Sequence, residues 1–337
     1  MTIDRTLRWG IISTARINDE VIPAIEHSSR SALLAVASRD GQRARDYASS
    51  RGIQRAYGSY EELLADGEID CVYISLPNSL HAPLVVAALD AGKHVLCEKP
   101  IAVSRAEGAM LFERARSAER ILMEAFMYRH HDKTHRLREL VNDGTLGEIE
   151  TIRASFHFLA DDPVGDVRFQ PALAGGALRD VGSYCTSLAT YLMDAAPVRV
   201  AGAARLATSG VDESFAGVLD FGEHAATAVF DCGMRSSLTV GVTVLGTEGV
   251  AHVAMPWYAH RAPATIDVRR GDLVTRIETS DDNAYQLEVE NFCAAVAGET
   301  EPTISGEETL RNLGVLDQLA AAAGLPHFQL EPKGPGN

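Results

Sequence analysis

Three residues of this chain have types and spacing suited to moving a proton: Lys99, Asp180 and Tyr184. Lys99 lies in Val95-Leu96-Cys97-Glu98-Lys99-Pro100, where an apolar run ends in a charged side chain and a proline. Proline disfavours a helical backbone at the residue before it, so Lys99 is expected at the mouth of a strand. Asp180 precedes Tyr184 by four positions, which puts both on one face if the segment is helical. A phenol titrates near ~10 and needs a neighbouring cation to work near neutrality. Lys99 is the candidate for that cation.

The elements that would hold Lys99 can be read from the pattern around it. Residues 70–77 form a second apolar, β-branched run closed by Pro77, and residues 84–89 are apolar at helical spacing and stopped by Gly92. Strand, helix, strand with short joints is a βαβ unit, so the strands are expected to be parallel and covered on both faces. Ligands in such sheets bind beyond the carboxyl ends of the strands. Further strands are expected at 7–13, 32–38 and 121–125, with helices at 18–26, 41–50, 60–64 and 104–119. This βαβα order predicts an α/β fold, a doubly wound Rossmann sheet. After about residue 145 apolar and polar residues alternate over 147–158 and 198–253, which predicts a large, mostly antiparallel sheet with one covered face. Helices are expected at 182–192, 283–296 and 307–322. The division is residues 1–125 for the dinucleotide domain, 126–330 for a substrate and oligomerisation domain, and 331–337 for a tail.

The first strand leads into Ser13-Thr14-Ala15-Arg16-Ile17-Asn18, where a dinucleotide fingerprint would sit. The three glycines of G-x-G-x-x-G fall on Ser13, Ala15 and Asn18, so the strict motif fails. Ser13 and Ala15 are still small, and a helix N-terminus behind them can bind a pyrophosphate. The second strand ends Ala37-Ser38-Arg39-Asp40. An NAD site favours an acidic residue there, whereas Ser38 and Arg39 offer a hydroxyl and a guanidinium to a 2′-phosphate. The expected cofactor is NADP, with NAD possible, since Asp40 follows at once.

Composition narrows the partners. Hydrophobic residues at 46% and charged residues at 23% over 337 residues are ordinary for a two-domain globular chain. A net charge of −15 disfavours nucleic acid or an anionic membrane. No apolar run is long enough to span a bilayer, and the first residues lack a signal core. Cys71, Cys97, Cys185, Cys232 and Cys293 are scattered without metal-type spacing, so a cytoplasmic location with reduced thiols and no bound metal is expected.

Read together, these segments resemble the glucose–fructose oxidoreductase, inositol dehydrogenase and MocA (Gfo/Idh/MocA) family. The resemblance rests on residues 8–17, on Cys97-Glu98-Lys99-Pro100, on Glu124-Ala125-Phe126-Met127-Tyr128-Arg129, on residues 144–149, and on Gly175-Gly176-Ala177-Leu178-Arg179-Asp180-Val181-Gly182-Ser183-Tyr184. Within the family the chain is most similar to dihydrodiol dehydrogenases, NADP-dependent D-xylose dehydrogenases and deoxysugar ketoreductases. The resemblance implies an NAD(P)-dependent enzyme acting on a sugar, polyol or related cyclic alcohol. Tyr184 takes the catalytic tyrosine position, Lys99 polarises the oxygen, and Asp180 holds a neighbouring hydroxyl. It places Ser13, Thr14, Ala15, Arg16, Ile17, Ser38, Arg39, Leu76, Pro77, Asn78, His81, Glu98, Lys99 and Pro100 at the cofactor, and Tyr128, Arg129 and Arg168 at the substrate. It also implies a homo-dimer or homo-tetramer built through the open sheet. The rival readings are a dinucleotide-binding sensor of the same fold and a redox-neutral NAD-dependent glycosidase.

Overall fold

The computed structural model describes residues 6–161, 163–222, 226–258 and 264–326; the expected tail at 331–337 lies outside them. The first sheet consists of β1 (Leu7–Ile12), β2 (Ser31–Ala37), β3 (Arg55–Tyr57), β4 (Cys71–Ile74), β5 (His94–Glu98) and β6 (Leu122–Ala125), all but β3 built on apolar runs bounded by turn residues. All pair in parallel, in the order β3-β2-β1-β4-β5-β6. Helices α1 (Asn18–His27), α2 (Gly41–Arg51), α3 (Tyr60–Ala65), α4 (His81–Asp90) and α5 (Arg105–Ser117) make the crossovers. Ser59 and Ser104 cap α3 and α5 by accepting the N–H groups of Glu62 and Glu107. β4 is buried along its whole length, as a central parallel strand must be. The strand order reverses at β1, so the crevice beyond β1 and β4 is the natural ligand site. β3 was not expected, because Arg55-Ala56-Tyr57 carries no apolar run; it is an edge strand held by pairing to β2.

The second half contains α6 (Asp132–Asn142), β7 (Ile149–Leu159), α7 (Ser183–Met193), β8 (Arg199–Leu206), β9 (Asp212–Asp220), β10 (Thr227–Gly233), β11 (Arg235–Gly246), β12 (Val250–Ala254), β13 (Thr265–Arg270) and β14 (Leu273–Glu278). Its sheet runs β14-β13-β12-β11-β7-β10-β9-β8 and is antiparallel except where β7 meets β10. Phe156, Phe215, Phe230, Val242 and Val244 are buried on one face, while Val218, on the other face of β9, remains exposed. The alternation therefore gives one covered face and one open face, as expected. The last helices return to the first sheet. In α8 (Ala284–Val296) the Phe292 ring lies 5.0 Å from that of Trp9 on β1. The helix α9 (Gly306–Ala322) packs so closely on α5 that a Cβ at Gly108 would stand 2.6 Å from Leu313 Cδ1. No helix among the described residues is long and apolar enough to cross a membrane.

Candidate functional site

β5 delivers Lys99 to the mouth of the parallel sheet, and the Lys99–Pro100 peptide is cis. Lys99 Nζ donates to the carbonyl oxygen of Asp180 at 2.8 Å and to Asp180 Oδ1 at 3.1 Å. Asp180 belongs to a π-type turn, Leu178–Gly182, that leads into α7. Such turns redirect backbone groups and recur at functional sites. Tyr184 follows in the first turn of α7, with Lys99 Nζ 4.8 Å from the centroid of its ring. Its hydroxyl donates to Met127 Sδ at 3.7 Å, and a thioether is a weak acceptor.

The three residues expected to act together are therefore adjacent, but their pairing differs from expectation. Lys99 holds Asp180, not the phenol oxygen. Burial, reinforced by Tyr285, Glu98, Asp180 and Tyr258, pushes the Tyr184 hydroxyl well above its ordinary range. The expected lowering by Lys99 is not found, because the ammonium lies over the ring face and its charge is taken up by Asp180. As built, Tyr184 is a protonated donor.

Around this set the charges are matched. Glu98 accepts the Tyr73 hydroxyl at 2.5 Å and the Lys99 backbone N–H at 3.3 Å. Burial raises its carboxyl despite the pull of Lys99. Arg168 donates Nε to Asp166 Oδ1 at 2.9 Å, and its Nη1 stands 3.6 Å from Asp180 Oδ2. Its guanidinium lies 4.5 Å from the Phe158 ring centroid. Burial opposes charge on Asp166, yet the Arg168 hydrogen bonds outweigh it and lower the carboxyl. Tyr258 lies close enough to Asp180 and Arg168 to feel both charges. Phe158 and Tyr258 carried no motif that would have singled them out.

The cofactor end explains the missing glycines. Ser13 adopts φ 128°, a conformation natural to glycine, at a cost of about 1–3 kcal/mol for another residue. A buried network offsets it. Ser13 Oγ donates to the Ser75 carbonyl at 2.9 Å and accepts the Ala15 N–H at 3.1 Å. Asn18 Nδ2 donates to the Ser13 carbonyl at 3.1 Å, and Asn18 Oδ1 accepts Ser75 Oγ–H at 2.7 Å. The backbone turn of the fingerprint is thus kept by side-chain hydrogen bonds. Thr14, Ala15 and Ile17 are half-buried and Arg16 is exposed along it. No side chain caps the start of α1, and the N–H groups of Asn18, Asp19 and Glu20 bond the carbonyls of Ala15, Arg16 and Ile17, so what α1 offers a pyrophosphate is the positive end of its dipole.

At the end of β2, Ser38 is buried and Arg39 exposed. Asp40 Oδ1 accepts the N–H groups of Gln42 and Arg43 as the cap of α2, which holds its carboxylate at the helix start. The charges of Arg39 and Arg43 both reach Tyr60; Arg43, one turn into α2, was missed. Leu76 and Pro77 are half-buried where the chain leaves the sheet after β4. Asn78 spends its Nδ2 on the Ala174 carbonyl at 2.9 Å, tying the crevice to the loop that carries Arg168. Pro100 is buried beneath Lys99.

Three expected contacts are corrected. His81 is 1% exposed, with Nδ1 2.8 Å from the Pro100 carbonyl and Nε2 2.7 Å from the Leu76 carbonyl. It clamps two turns of the site and has no nitrogen left for a cofactor. Tyr128 is 1% exposed and gives its hydroxyl to Ser187 at 2.9 Å. Arg129 is 3% exposed, bonded to Glu308 at 2.8 Å and stacked 3.5 Å from the Tyr191 centroid. Both are interior groups joining β6, α7 and α9, so of the expected substrate residues only Arg168 stands at the site.

With this geometry in hand, comparison with known proteins is informative. Residues 7–126 match the family model for an oxidoreductase family with an NAD-binding Rossmann fold, and residues 134–252 match the Gfo/Idh/MocA C-terminal domain. The NADP(+)-dependent D-xylose 1-dehydrogenase 2 of Haloferax volcanii is 39% identical over 321 residues, covering 94% of this chain and 97% of its own. The trans-1,2-dihydrobenzene-1,2-diol dehydrogenase of Mus musculus is 36% identical over 257 residues, covering 74% of this chain and 75% of its own. Among solved structures, a 3-ketoreductase from Actinomadura kijaniata in complex with NADP and TDP-benzene superposes with TM-score 0.87 at 29% identity, covering 94% of this chain and 98% of that one.

Proposed function

The chain belongs to the Gfo/Idh/MocA oxidoreductase family, and from that premise we propose that it moves hydride between NADP, taken in preference to NAD, and a carbinol carbon of an uncharged sugar, polyol or cyclic diol. The observation that carries the substrate class is the pairing of cations: Lys99 is held by Asp180, and Arg168 by Asp166 with Asp180 close by. A phosphate or carboxylate entering here would have to break one of these pairs, whereas hydroxyl groups can share them. Ser38, Arg39 and Arg43, with Asp40 held as a cap, support the 2′-phosphate. The NADP named with the D-xylose dehydrogenase and with the ketoreductase supports that cofactor, and the D-xylose named with the first supports a neutral sugar.

Bound in the crevice, the nicotinamide supplies or receives the hydride. The chain's own residues handle the oxygen. In the reducing direction Lys99 Nζ donates a hydrogen bond to the carbonyl oxygen and stabilises its developing charge. The Tyr184 phenol gives up its proton to that oxygen, exchanging a thioether acceptor for a far better one. Oxidation retraces the path with the Tyr184 phenolate as proton acceptor. Asp180 keeps the ammonium in place and can accept a neighbouring hydroxyl. The open face of the second sheet is where a second copy docks, giving a homo-dimer or homo-tetramer. Five free, buried cysteines fit a reducing compartment such as the cytoplasm.

The test is NADPH and NADH absorbance kinetics in both directions across neutral aldoses, inositols and trans-dihydrodiols, set against uronic acids, sugar phosphates and nucleotide-linked sugars. Turnover confined to neutral compounds with NADPH preferred is expected. Turnover confined to the charged set would overturn the substrate class, and tight NADPH binding without any turnover would favour the sensor.

A further inference from the structure

The glycine pair before the π-type turn has no role in the chemistry above, yet each glycine is required by a close approach. A Cβ at Gly175 would stand 2.2 Å from the Arg168 carbonyl oxygen, which accepts the Gly176 N–H at 2.9 Å. Gly176 has φ 122°, and a Cβ there would stand 2.1 Å from Oδ1 of Asp212. Asp212 opens β9 and is 3% exposed. Its Oδ2 accepts the Leu178 N–H at 2.6 Å, and the Ala177 N–H lies beside it. A buried carboxylate from the second sheet thus grips the first N–H groups of the segment that carries Asp180 and Tyr184. Charge-assisted bonds of this kind are about twice as strong as neutral ones, and a negative charge also suits a helix start. Arg179 and Asp317 are the charged groups nearest this arrangement.

We propose that Asp212 is a positioning residue: its hold on the Leu178 N–H sets the π-type turn so that the Asp180 carbonyl and carboxylate meet Lys99 and the Tyr184 ring lies beneath the ammonium. The proposal rests on the reading of Lys99, Asp180 and Tyr184 given above. It accounts for Gly175-Gly176, which clears room for the Arg168 loop on one side and the Asp212 carboxylate on the other. It also gives the covered side of the second sheet a part in the site, where Asp212 adds a charged grip to the contacts that Phe156 makes with Tyr184 and Phe158 with Arg168.

The experiment compares wild type, Asp212→Asn and Asp212→Ala as full-length protein. One readout needs no substrate: the acetylation rate of Lys99, followed site by site by mass spectrometry. Lys99 anchored on Asp180 reacts slowly, and Asp212→Asn should release it, raising labelling about tenfold with other lysines unchanged. The second readout is NADPH-dependent turnover with whichever probe, D-xylose or trans-1,2-dihydrobenzene-1,2-diol, the wild type accepts better. Misplacement of the reacting groups by about 1 Å can cost on the order of a hundredfold, so kcat should fall about 10- to 100-fold in the order Asp, Asn, Ala. The NADPH KM should stay within about twofold, since the cofactor crevice is untouched. Faster labelling with unchanged kcat would make Asp212 a mere helix cap and overturn the proposal, as would unchanged labelling in Asp212→Asn. A wild type inactive on both probes would count against the functional reading, while the labelling rates would still decide whether Asp212 holds the turn. If Asp212→Ala fails to fold, Asp212→Asn, which keeps an acceptor oxygen, still decides the matter.

Discussion

The two halves of the reactive set are positioned in different ways. Lys99 stands where a buried parallel strand stops: β5 is fixed by its ladder to β4 and β6, and His81 clamps the Pro100 carbonyl behind it. Asp180 and Tyr184 stand on a turn outside both ladders, which meets the second sheet through side chains such as Cys232 of β10, whose Sγ lies 3.6 Å from the Ala177 carbonyl oxygen. Their place depends on side chains reaching in, Asp212 from one side and Lys99 from the other. A strand end tolerates changes around it because its backbone bonds remain. A turn held by side chains depends on each of them, so one half of the site is robust and the other is tuned.

The sharpest way to break this comparison is to remove the two reactive groups in turn. Lys99→Met deletes the cation and leaves Asp180 to Arg168, whose Nη1 stands 3.6 Å from Asp180 Oδ2. Loss of one preorganised donor at a developing oxyanion costs about 10²–10³ in kcat. Tyr184→Phe keeps the Lys99–Asp180 pair and should lower kcat about a hundredfold or more, with NADPH binding by fluorescence titration nearly unchanged. Steady-state kinetics of both variants and of the double variant check this. If Tyr184→Phe were as active as wild type, Lys99 itself would be the proton carrier and the turn would merely hold it.

The robust half has a cost measurable by pH. Glu124 on β6 is buried, and its Oε1 accepts the Ile101 N–H at 3.0 Å, just past Lys99–Pro100. Burial raises its carboxyl from 4.5 to about 7, outweighing the Ile101 bond and the charge of Lys99. In the unfolded chain the group ionises near ~4.3. Between these values the folded protein holds a proton that the unfolded chain has released, so stability falls as pH rises through that window and levels off above it. At 1.36 kcal/mol per unit the loss is about 3 kcal/mol. Glu124→Gln keeps the acceptor and cannot ionise. Its denaturant midpoint should decline less than that of wild type between about pH 4.5 and 7, leaving it the more stable at pH 8. Parallel pH dependences in the two proteins would mean that Glu124 stays charged.

How much of this was readable beforehand follows the same division. The βαβα succession of the first half, the change to an alternating pattern after residue 145, and Lys99 at a strand end were legible, because hydrophobic period and proline act locally. The Asp180–Tyr184 spacing was legible as one face of a helix, although the π-type turn that carries Asp180 was not. Asp212 was invisible, since its partner, the Leu178 N–H, is 34 residues away and set by tertiary approach, which leaves no period in the sequence; Asp166, two residues from Arg168, was legible as its possible partner. Tyr128 and Arg129 were misplaced for a related reason: a motif next to a strand end gives their position along the chain, not the face they bury. Ser13 shows the opposite error, for the glycine pattern failed while the turn it encodes survived on a serine network.

The smallest expected effect sharpens the comparison at the cofactor. Arg39 is exposed and Arg43 stands one turn away on α2, so a 2′-phosphate would meet two cations at the surface, where each is worth less than the buried Lys99. A hydrogen bond to a charged group contributes about 1.5–3 kcal/mol, reduced here by solvent and salt. Arg39→Ala should therefore weaken NADPH binding about 10- to 30-fold at low ionic strength, less at high salt, and leave NADH binding unaltered. Because Asp40 is held at the α2 cap, the variant should not gain an acidic grip on the NADH ribose; it should lose selectivity without reversing it. Titration of both dinucleotides at two salt concentrations reads this directly. A variant that came to prefer NADH strongly would show that Asp40 leaves its cap to reach the ribose, placing the second strand's end among the tuned parts of the molecule and not the robust ones.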